Sequence, residues 1–191
     1  MFKQLQESIQ EHVSLSDEEW ELCKNSFRPK RMRKRQFLLQ ESDVCRELTF
    51  VEKGSLYSYS VDSRGNQHVL RFAFKGWWIA DLQSFFTDTP SSVNIEVLED
   101  SELLVLDRKN HEKLLDEIHA YEQYHRIILQ NAYIALQRRV ENALGLTAEE
   151  KYSRLIKRNP EFMNRVPLNL VASYLGISPE TLSRVRGQMA R

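Results

Sequence analysis

One segment near the C-terminus sets the architecture of the chain: Asn169-Leu170-Val171-Ala172-Ser173-Tyr174-Leu175-Gly176-Ile177-Ser178-Pro179-Glu180-Thr181-Leu182-Ser183-Arg184-Val185-Arg186. Val171, Ala172 and Leu175 recur at helical spacing, which predicts a first helix with one apolar face. Gly176 follows directly, and glycine is favoured where a helix ends in the left-handed conformation. The small Ala172 leaves room for a second helix to cross closely. The segment therefore predicts two short helices joined by a tight turn.

The second helix has its own start residues. Ser178 is a good N-cap, Pro179 suits the first helical position, and Glu180 places a negative charge at the positive helix end. Leu182 and Val185, three residues apart, face back toward the first helix. Any all-α domain contains helix–glycine–helix corners, but the joint fit of these positions favours a helix-turn-helix, whose second helix binds the DNA major groove.

The candidate DNA contacts lie at the start and on the polar face of the second helix. A glutamate such as Glu180 can accept a hydrogen bond from cytosine N4, and an arginine such as Arg184 can bind guanine O6 and N7. These two side chains are four residues apart, so they can also pair with each other. The full predicted set is Ser178, Glu180, Thr181, Ser183, Arg184, Arg186 and Gln188.

The distribution of charge supports a DNA partner for the tail only. The 191-residue chain has zero net charge, but residues 151–191 hold eight Lys or Arg and two Asp or Glu. Residues 1–150 hold nineteen basic and twenty-five acidic side chains. A basic tail suits contact with phosphates, although simple solvation is the alternative. No apolar run of about 18 residues and no N-terminal signal is present, so no membrane contact and a cytoplasmic location are predicted.

Cysteine and histidine usage indicates no metal, no cofactor and no catalytic centre. Cys23 and Cys45 lack the clustered spacing of a zinc or iron–sulfur site and are predicted to be plain thiols. No catalytic motif stands out, so we predict a protein that is not an enzyme. The scattered histidines are interpreted as surface or helix-face residues: His68, His111, His119 and His125.

The first two thirds of the chain predict a helix, a β-domain and a long helix. Residues 1–25 look helical, with a capping box at Ser16 and Glu19. Residues 37–107 show short strand patterns with a hairpin turn at 62–66 and a further turn at 75–76, which are typical of a sandwich or barrel. The basic cluster at 30–35 is interpreted as a solvated strand edge.

Residues 108–146 carry apolar positions at steps of three and four, so one helix of about 30 residues is predicted. One side would cover the β-domain and the other would pair with a second copy. A helix buried wholly within one chain is the alternative. The predicted homodimer contacts are Ile118, Tyr121, Ile128, Ala132 and Ala135.

This order of elements resembles the cyclic AMP receptor protein/fumarate-nitrate regulator (Crp/Fnr) family of bacterial transcription factors. The resemblance is carried by Lys53-Gly54-Ser55, Asp62-Ser63-Arg64-Gly65, Gly76-Trp77-Trp78-Ile79-Ala80-Asp81-Leu82 and Gly176-Ile177-Ser178-Pro179-Glu180-Thr181-Leu182-Ser183-Arg184. It implies an α+β fold with a cyclic-nucleotide-binding-like β-roll over residues 1–110, a dimerisation helix over 111–146 and a DNA-binding domain over 147–191. It further implies a homodimeric, DNA-binding transcription regulator, with RNA polymerase as a further partner.

Departures from the family concern the effector. Cyclic-nucleotide-binding relatives carry Gly-Glu-Leu and a later Arg-Ser pair, whereas the corresponding positions here are Ala80-Asp81-Leu82 and Ser91-Ser92. The missing arginine removes the bidentate partner of a phosphate, so we predict no physiological binding of cyclic AMP. Trp77 and Trp78 could fill the former pocket. An empty pocket and an unknown small ligand stay open, as does a regulatory module that acts through a protein partner. Pro179, where relatives often carry arginine, predicts a different DNA site.

Overall fold

The structure is a computed structural model that describes residues 1–160 and 162–189, with the backbone alone at residue 163. Its elements in chain order are α1 (Lys3–Gln10), α2 (Asp17–Ser26), β1 (Arg28–Met32), β2 (Phe37–Leu39), β3 (Glu47–Val61), β4 (Gln67–Phe74), β5 (Trp78–Ile79), α3 (Leu82–Thr87), β6 (Asn94–Asp107), α4 (Arg108–Glu117), α5 (His119–Gly145), α6 (Ala148–Arg158), α7 (Phe162–Arg165), α8 (Leu168–Leu175) and α9 (Pro179–Met189). The chain forms two compact units, residues 1–60 with 71–130 and residues 61–70 with 131–191.

The first unit is an antiparallel β-roll with helices, so the predicted fold class is confirmed. The strand order is β1-β6-β3-β4, with β2 paired to β6 and β5 paired to β3. The basic segment at 28–32 is the edge strand β1, where Arg31 pairs with Glu102 and Lys30 with Glu47. Its interpretation as a strand edge is confirmed.

Residues 52–55 lie within β3, which runs continuously from Glu47 to Val61. Its partner β6 is likewise one strand, and the pairing register shifts between Val51 and Leu56. Gly54 has φ +93°, and a Cβ there would stand 2.2 Å from Ser101 Oγ and 2.7 Å from the Asp100 carbonyl oxygen. A β-bulge therefore interrupts the regular pairing of β3 with β6 at this point.

The turn at 62–66 between β3 and β4 is confirmed. The Asp62 carboxylate accepts hydrogen bonds from the backbone N–H groups of Arg64 and Asn66, both at 2.9 Å. Gly65 supplies the positive φ of 83° that the turn needs. We call residues 61–70 the hairpin tip; it belongs to the second unit.

The core of the first unit joins the roll to the helices around it. Phe50, Leu56, Ile95 and Leu104 from the strands pack in one cluster with Tyr124 of α5. The capping box at the start of α2 is confirmed. The N-terminus of α1 is capped from a distance, since the buried Glu52 carboxylate accepts from Leu5 N at 2.8 Å. Both cysteines are buried and form no disulfide, and burial raises the pKa of Cys23 to about 12.

A long helix is present as predicted, but it does not run unbroken over residues 108–146. The helix breaks at Ile118, which has an extended backbone (φ −125°, ψ 96°), and this residue separates α4 from α5. The Ile118 side chain is 1% exposed, so its burial in the core fixes the break. The helix that follows, α5, has 27 residues, and the division of the chain into two compact units falls within it, between Gln130 and Asn131.

The second unit has its own core. Phe162, Leu170, Val171, Leu182 and Val185 are all buried there. Helix α6 begins at a capping box formed by Thr147 and Glu150. The division of roles at residues 110 and 146 stays a prediction, because the compact units follow packing rather than role.

Candidate nucleic-acid interface

The predicted helix-turn-helix is present as α8, a turn and α9. Gly176 ends α8 in the left-handed conformation at φ 68° and ψ 37°. Ala172 and Leu182 are fully buried and Val185 is 2% exposed, so the three side chains hold the two helices together. Burial of these apolar residues leaves the opposite side of α9 to solvent.

The start of α9 is fixed by Ser178. Its hydroxyl oxygen accepts from the Thr181 N–H at 3.2 Å, and the hydroxyl lies 3.2 Å from Thr181 Oγ1. The hydroxyl also holds the pKa of the Glu180 carboxyl below its usual value, with help from the Glu180 backbone N–H. Since the hydroxyl has one proton, it donates to Thr181 Oγ1 or to the carboxylate at any one time. The lowered pKa keeps Glu180 ionised, and an ionised carboxylate only accepts hydrogen bonds.

The remaining predicted contacts divide by exposure. Thr181 and Arg186 are half-buried, and the others are exposed: Ser178, Glu180, Ser183, Arg184 and Gln188. Within the part of the chain that the structure describes, Glu180 and Arg184 form no ion pair. The face of α9 that carries Glu180 and Arg184 is therefore open to a partner.

The predicted ligand pocket is closed by its own hydrogen bonds. Asp81 caps α3, with Oδ1 accepting from Gln83 N at 3.1 Å and from Ser84 N at 3.3 Å. The Ser91 hydroxyl lies 2.7 Å from Asp81 Oδ2 and also contacts the Val93 backbone. Both carboxylate oxygens are thus used within the chain.

The other predicted pocket residues lie around this cap. Leu82 and Ser92 are not fully buried, and Trp78 packs against Phe27 and Phe50 while its indole N–H donates to Tyr124 Oη at 3.0 Å. Trp77 is 39% exposed, so it does not fill an interior.

A cavity of about 580 Å³ opens beside this segment, between residues 38–47 and the facing residues of β3, β5 and β6. Ala80 lines the cavity, together with Ser42, Arg46 and Thr49. Thr49 is 1% exposed, and its hydroxyl finds no partner among the described groups. The cavity lining thus combines apolar side chains with charged ones and an unused buried hydroxyl.

The predicted homodimer contacts do not share one surface. Ile118 and Tyr121 are buried in the core of the first unit, and Ile128 packs against that core. Ala132 is half-buried and Ala135 is exposed. A different set of large apolar side chains is exposed on the last part of α5: Tyr133, Ile134, Leu136, Val140 and Leu144, at 43–85% exposure.

We call Tyr133, Leu136, Val140 and Leu144 the partner face, because their spacing of three, four and four places them on one side of α5. Leu136 and Val140 belong to the apolar repeat of residues 108–146, but the repeat does not separate this side from the buried one. The missed pattern is the change of apolar face after the first three turns of the helix.

Sequence reasoning also missed a junction between α8, α5 and the hairpin tip. The Ser173 hydroxyl donates to the Gln67 carbonyl oxygen at 2.7 Å and accepts from the Val69 N–H at 2.9 Å. Arg139 of α5 donates to the Val69 carbonyl oxygen at 2.9 Å, and its guanidinium lies 4.4 Å from the Tyr174 ring centroid. No local pattern marks these residues, because they meet only after folding.

His111 and His125 lie on helices, as one of the two interpretations held, but neither lies at the surface. His111 and His125 are 1% and 9% exposed, and their ring centroids are 4.4 Å apart. Across residues 1–160 and 162–189, no three His, Cys, Asp or Glu side chains are grouped as metal ligands. No helix in those ranges is long and apolar enough to cross a membrane.

Comparisons with known proteins agree with this architecture. Residues 29–118 match the family model of the cyclic nucleotide-binding domain. FixK2 from Bradyrhizobium japonicum is similar in structure, with a TM-score of 0.72 at 16% identity over 86% of this chain and 84% of that chain. The c-di-GMP responsive regulator CLP of Xanthomonas campestris gives a TM-score of 0.69 at 17% identity over 92% of both chains.

A transcriptional regulator assigned to the Crp/Fnr family from Eubacterium rectale gives a TM-score of 0.69 at 14% identity, over 92% of this chain and 84% of that one. No curated protein matches the sequence. The fold and the interface define a cyclic nucleotide-binding-type roll followed by a helix-turn-helix. The chain has the fold of Crp/Fnr transcription regulators, as the resemblance in its sequence predicted.

Proposed function

We propose that this chain is a homodimeric, sequence-specific DNA-binding transcription regulator that does not respond to cyclic AMP. The observation that carries the proposal is the geometry of α9. Leu182 and Val185 bury one side of the helix, and Glu180 and Arg184 stand exposed on another. This arrangement suits insertion into a major groove, with RNA polymerase as a further partner and the cytoplasm as the location.

Arg184 is the proposed base reader. An arginine that binds guanine O6 and N7 in two hydrogen bonds gives about 1–3 kcal/mol of discrimination. The ionised Glu180 suits the amino group of cytosine and would be repelled by phosphate, so the pair favours base edges over backbone. Ser178 and Thr181 lie at the positive helix end, where hydroxyls and N–H groups suit a phosphate.

The partner face supports the proposed homodimer. Leu136, Val140 and Leu144 are 58%, 51% and 85% exposed, which is unusual for large apolar residues side by side on one helix. Pairing this face with the same face of a second copy would form a two-fold interface. Two α9 helices would then bind half-sites about 34 Å apart, which is one turn of DNA.

The hydrogen bonds of Asp81 support the absence of a cyclic AMP response. A ribose hydroxyl would have to compete with Gln83 N, Ser84 N and Ser91 Oγ for the same carboxylate. No arginine stands at Ser91 to balance the phosphate charge. Calorimetry with cyclic AMP should give no binding heat, and a dissociation constant in the micromolar range would refute this part of the proposal.

The cavity beside Ala80 favours a second candidate function. A roll with a 580 Å³ cavity and an unpartnered buried Thr49 hydroxyl could act as a regulatory module for an unknown small ligand or a protein partner. In that case the chain would show only weak DNA binding without sequence preference.

Selection of bound duplexes from a random pool tests the proposed function. We expect a palindromic consensus for the native protein, and a relaxed preference at one base pair in each half-site for Arg184→Ala. Arg33→Ala is the matched control, because Arg33 is exposed in the first unit and the change removes the same charge. Failure to recover any consensus would contradict the proposal, and an unchanged preference in Arg184→Ala would contradict the role of Arg184.

A further inference from the structure

The hairpin tip includes the first residues of β4, and α8 of the same compact unit binds their backbone groups. Strand β4 lies at one end of the strand order, so its outward N–H and C=O groups have no further strand to bind. The hydroxyl of Ser173 in α8 forms hydrogen bonds with two of these groups, the Gln67 carbonyl and the Val69 N–H. The side chain of Ser173 thus satisfies two backbone groups that a neighbouring strand would otherwise bind.

Arg139 of α5 forms a hydrogen bond with the next backbone group along the same edge. It donates to the Val69 carbonyl oxygen at 2.9 Å, lies over the Tyr174 ring and approaches the Tyr174 carbonyl oxygen at 3.5 Å. Burial lowers the pKa of Arg139, and no carboxylate among the described residues forms an ion pair with it. Its half-buried guanidinium therefore binds only carbonyl groups and an aromatic face.

Arg139 also lies in the same turns of α5 as the partner face. Leu136 and Val140 are exposed on one side, while Arg139 and Asn142 turn to the other side, where Asn142 accepts from Arg154 of α6 at 2.9 Å. One short length of α5 thus holds both the surface for a second copy and the anchors for α8 and α6. Any partner bound at that face would be fixed relative to α9.

We propose that Ser173 and Arg139 are positioning residues, which hold the helix-turn-helix against the hairpin tip and α5 so that both α9 helices of a dimer meet their half-sites together. The proposal rests on the proposed function and adds to it the residues that set the spacing. Neither residue touches DNA; both act through the place of α8.

The physical reason is effective concentration. Once one α9 is bound, the second half-site is bound within the same complex, and the strength of that step depends on how rigidly the second α9 is held. Loss of the Ser173 hydroxyl removes two hydrogen bonds in each protomer and loosens α8. The intrinsic fit of one α9 to one half-site does not change.

The test compares two duplexes, the selected palindrome and one isolated half of it, in fluorescence-anisotropy titrations. For Ser173→Ala we expect full-site affinity to fall on the order of tenfold, with half-site affinity changed less than about twofold. Ser173→Thr keeps the hydroxyl and should restore full-site affinity. Ser63→Ala, at the exposed end of the hairpin tip, is the matched control and should bind both duplexes as the native protein does.

Each other outcome overturns the proposal. Equal losses on both duplexes would mean a general loss of the DNA-binding structure, and no loss or a gain on the full site would mean that the junction does not position α9. Should Ser173→Ala fail to fold, Arg139→Lys serves instead, because lysine keeps the charge but lacks the planar fork and the stacking. Failure to select any palindrome contradicts the proposed function and is recognised before the variants are made.

Discussion

Acidification should destabilise the β-roll unit through its buried histidine pair. His111 of α4 and His125 of α5 face each other with ring centroids 4.4 Å apart, and Phe85 and Tyr121 complete the surroundings of His111. The His111 Nε2 atom finds no partner among the described groups, and Nδ1 lies 3.4 Å from the Tyr121 hydroxyl. Protonation of His111 would therefore place a positive charge in the buried contact between α4 and α5.

The change in the free energy of unfolding with pH follows from the difference in the pKa of His111 between the folded and unfolded chain. Burial, with a smaller contribution from His125, lowers the pKa of His111 from 6.5 to about 4, against an opposing effect of Glu112. In the unfolded chain His111 therefore becomes protonated below pH 6.5, whereas in the folded chain it becomes protonated only near pH 4. Stability from His111 is present above pH 6.5 and is lost as the pH falls to 4, by about 3 kcal/mol. Burial lowers the pKa of His125 in the same direction, with Glu122 opposing.

Urea unfolding followed by tryptophan fluorescence measures this effect. All three tryptophans, Trp20, Trp77 and Trp78, lie in the first unit, so the signal reports that unit. The free energy of unfolding should depend less on pH between 6.5 and 4 in His111→Gln than in the native protein.

The control is His119→Gln, the same change on the same helical region, where the imidazole is 93% exposed. It should keep the native pH dependence. If His111→Gln keeps the full native slope, the buried imidazole is not the group that titrates, and the reasoning fails.

Two further changes test the fold and the assembly. Gly54→Ala should lower the free energy of unfolding by about 3 kcal/mol or more, because the new Cβ would overlap Ser101. Gly65→Ala is the control: its φ is +83° and nothing lies within 4 Å, so it should lower the free energy of unfolding by only about 1–2 kcal/mol. Equal losses in the two variants would contradict the close approach of Ser101 to Gly54. Leu136→Glu should shift the protein to monomers in sedimentation velocity because it places a charge on the partner face, whereas Arg138→Glu, on another side of α5, should not; a native dimer in both variants would place the interface elsewhere.

The helix-turn-helix was predictable because its determinants are local. A helix end needs a left-handed residue, so Gly176 marks it, and an N-cap needs a short side-chain acceptor, so Ser178 marks the next start. The inward positions Leu182 and Val185 follow from helical spacing alone. The same holds for the capping boxes and the turn at Asp62, where donor and acceptor lie within four residues of each other.

The β-roll was predictable as a class but not in its connections. Glycine at position 54 fits a turn and a bulge equally well, and only the approach of Ser101 and Asp100 from β6 selects the bulge. The helix break at Ile118 was likewise not predictable from the local sequence. A continuous apolar repeat runs through it, and the helix stops because the side chain is buried in the core.

The amino-acid sequence by itself determined the order of helices and strands and the polar face of α9, because capping, turn conformation and apolar spacing act within a few residues. Only the tertiary structure decided which apolar residues of α5 are core and which are exposed, since periodicity marks an apolar side without naming what covers it. It also decided that Ser173 and Arg139 meet Val69, across 104 and 70 residues of chain. Such contacts depend on where the sheet edge lies in space, which no local pattern encodes.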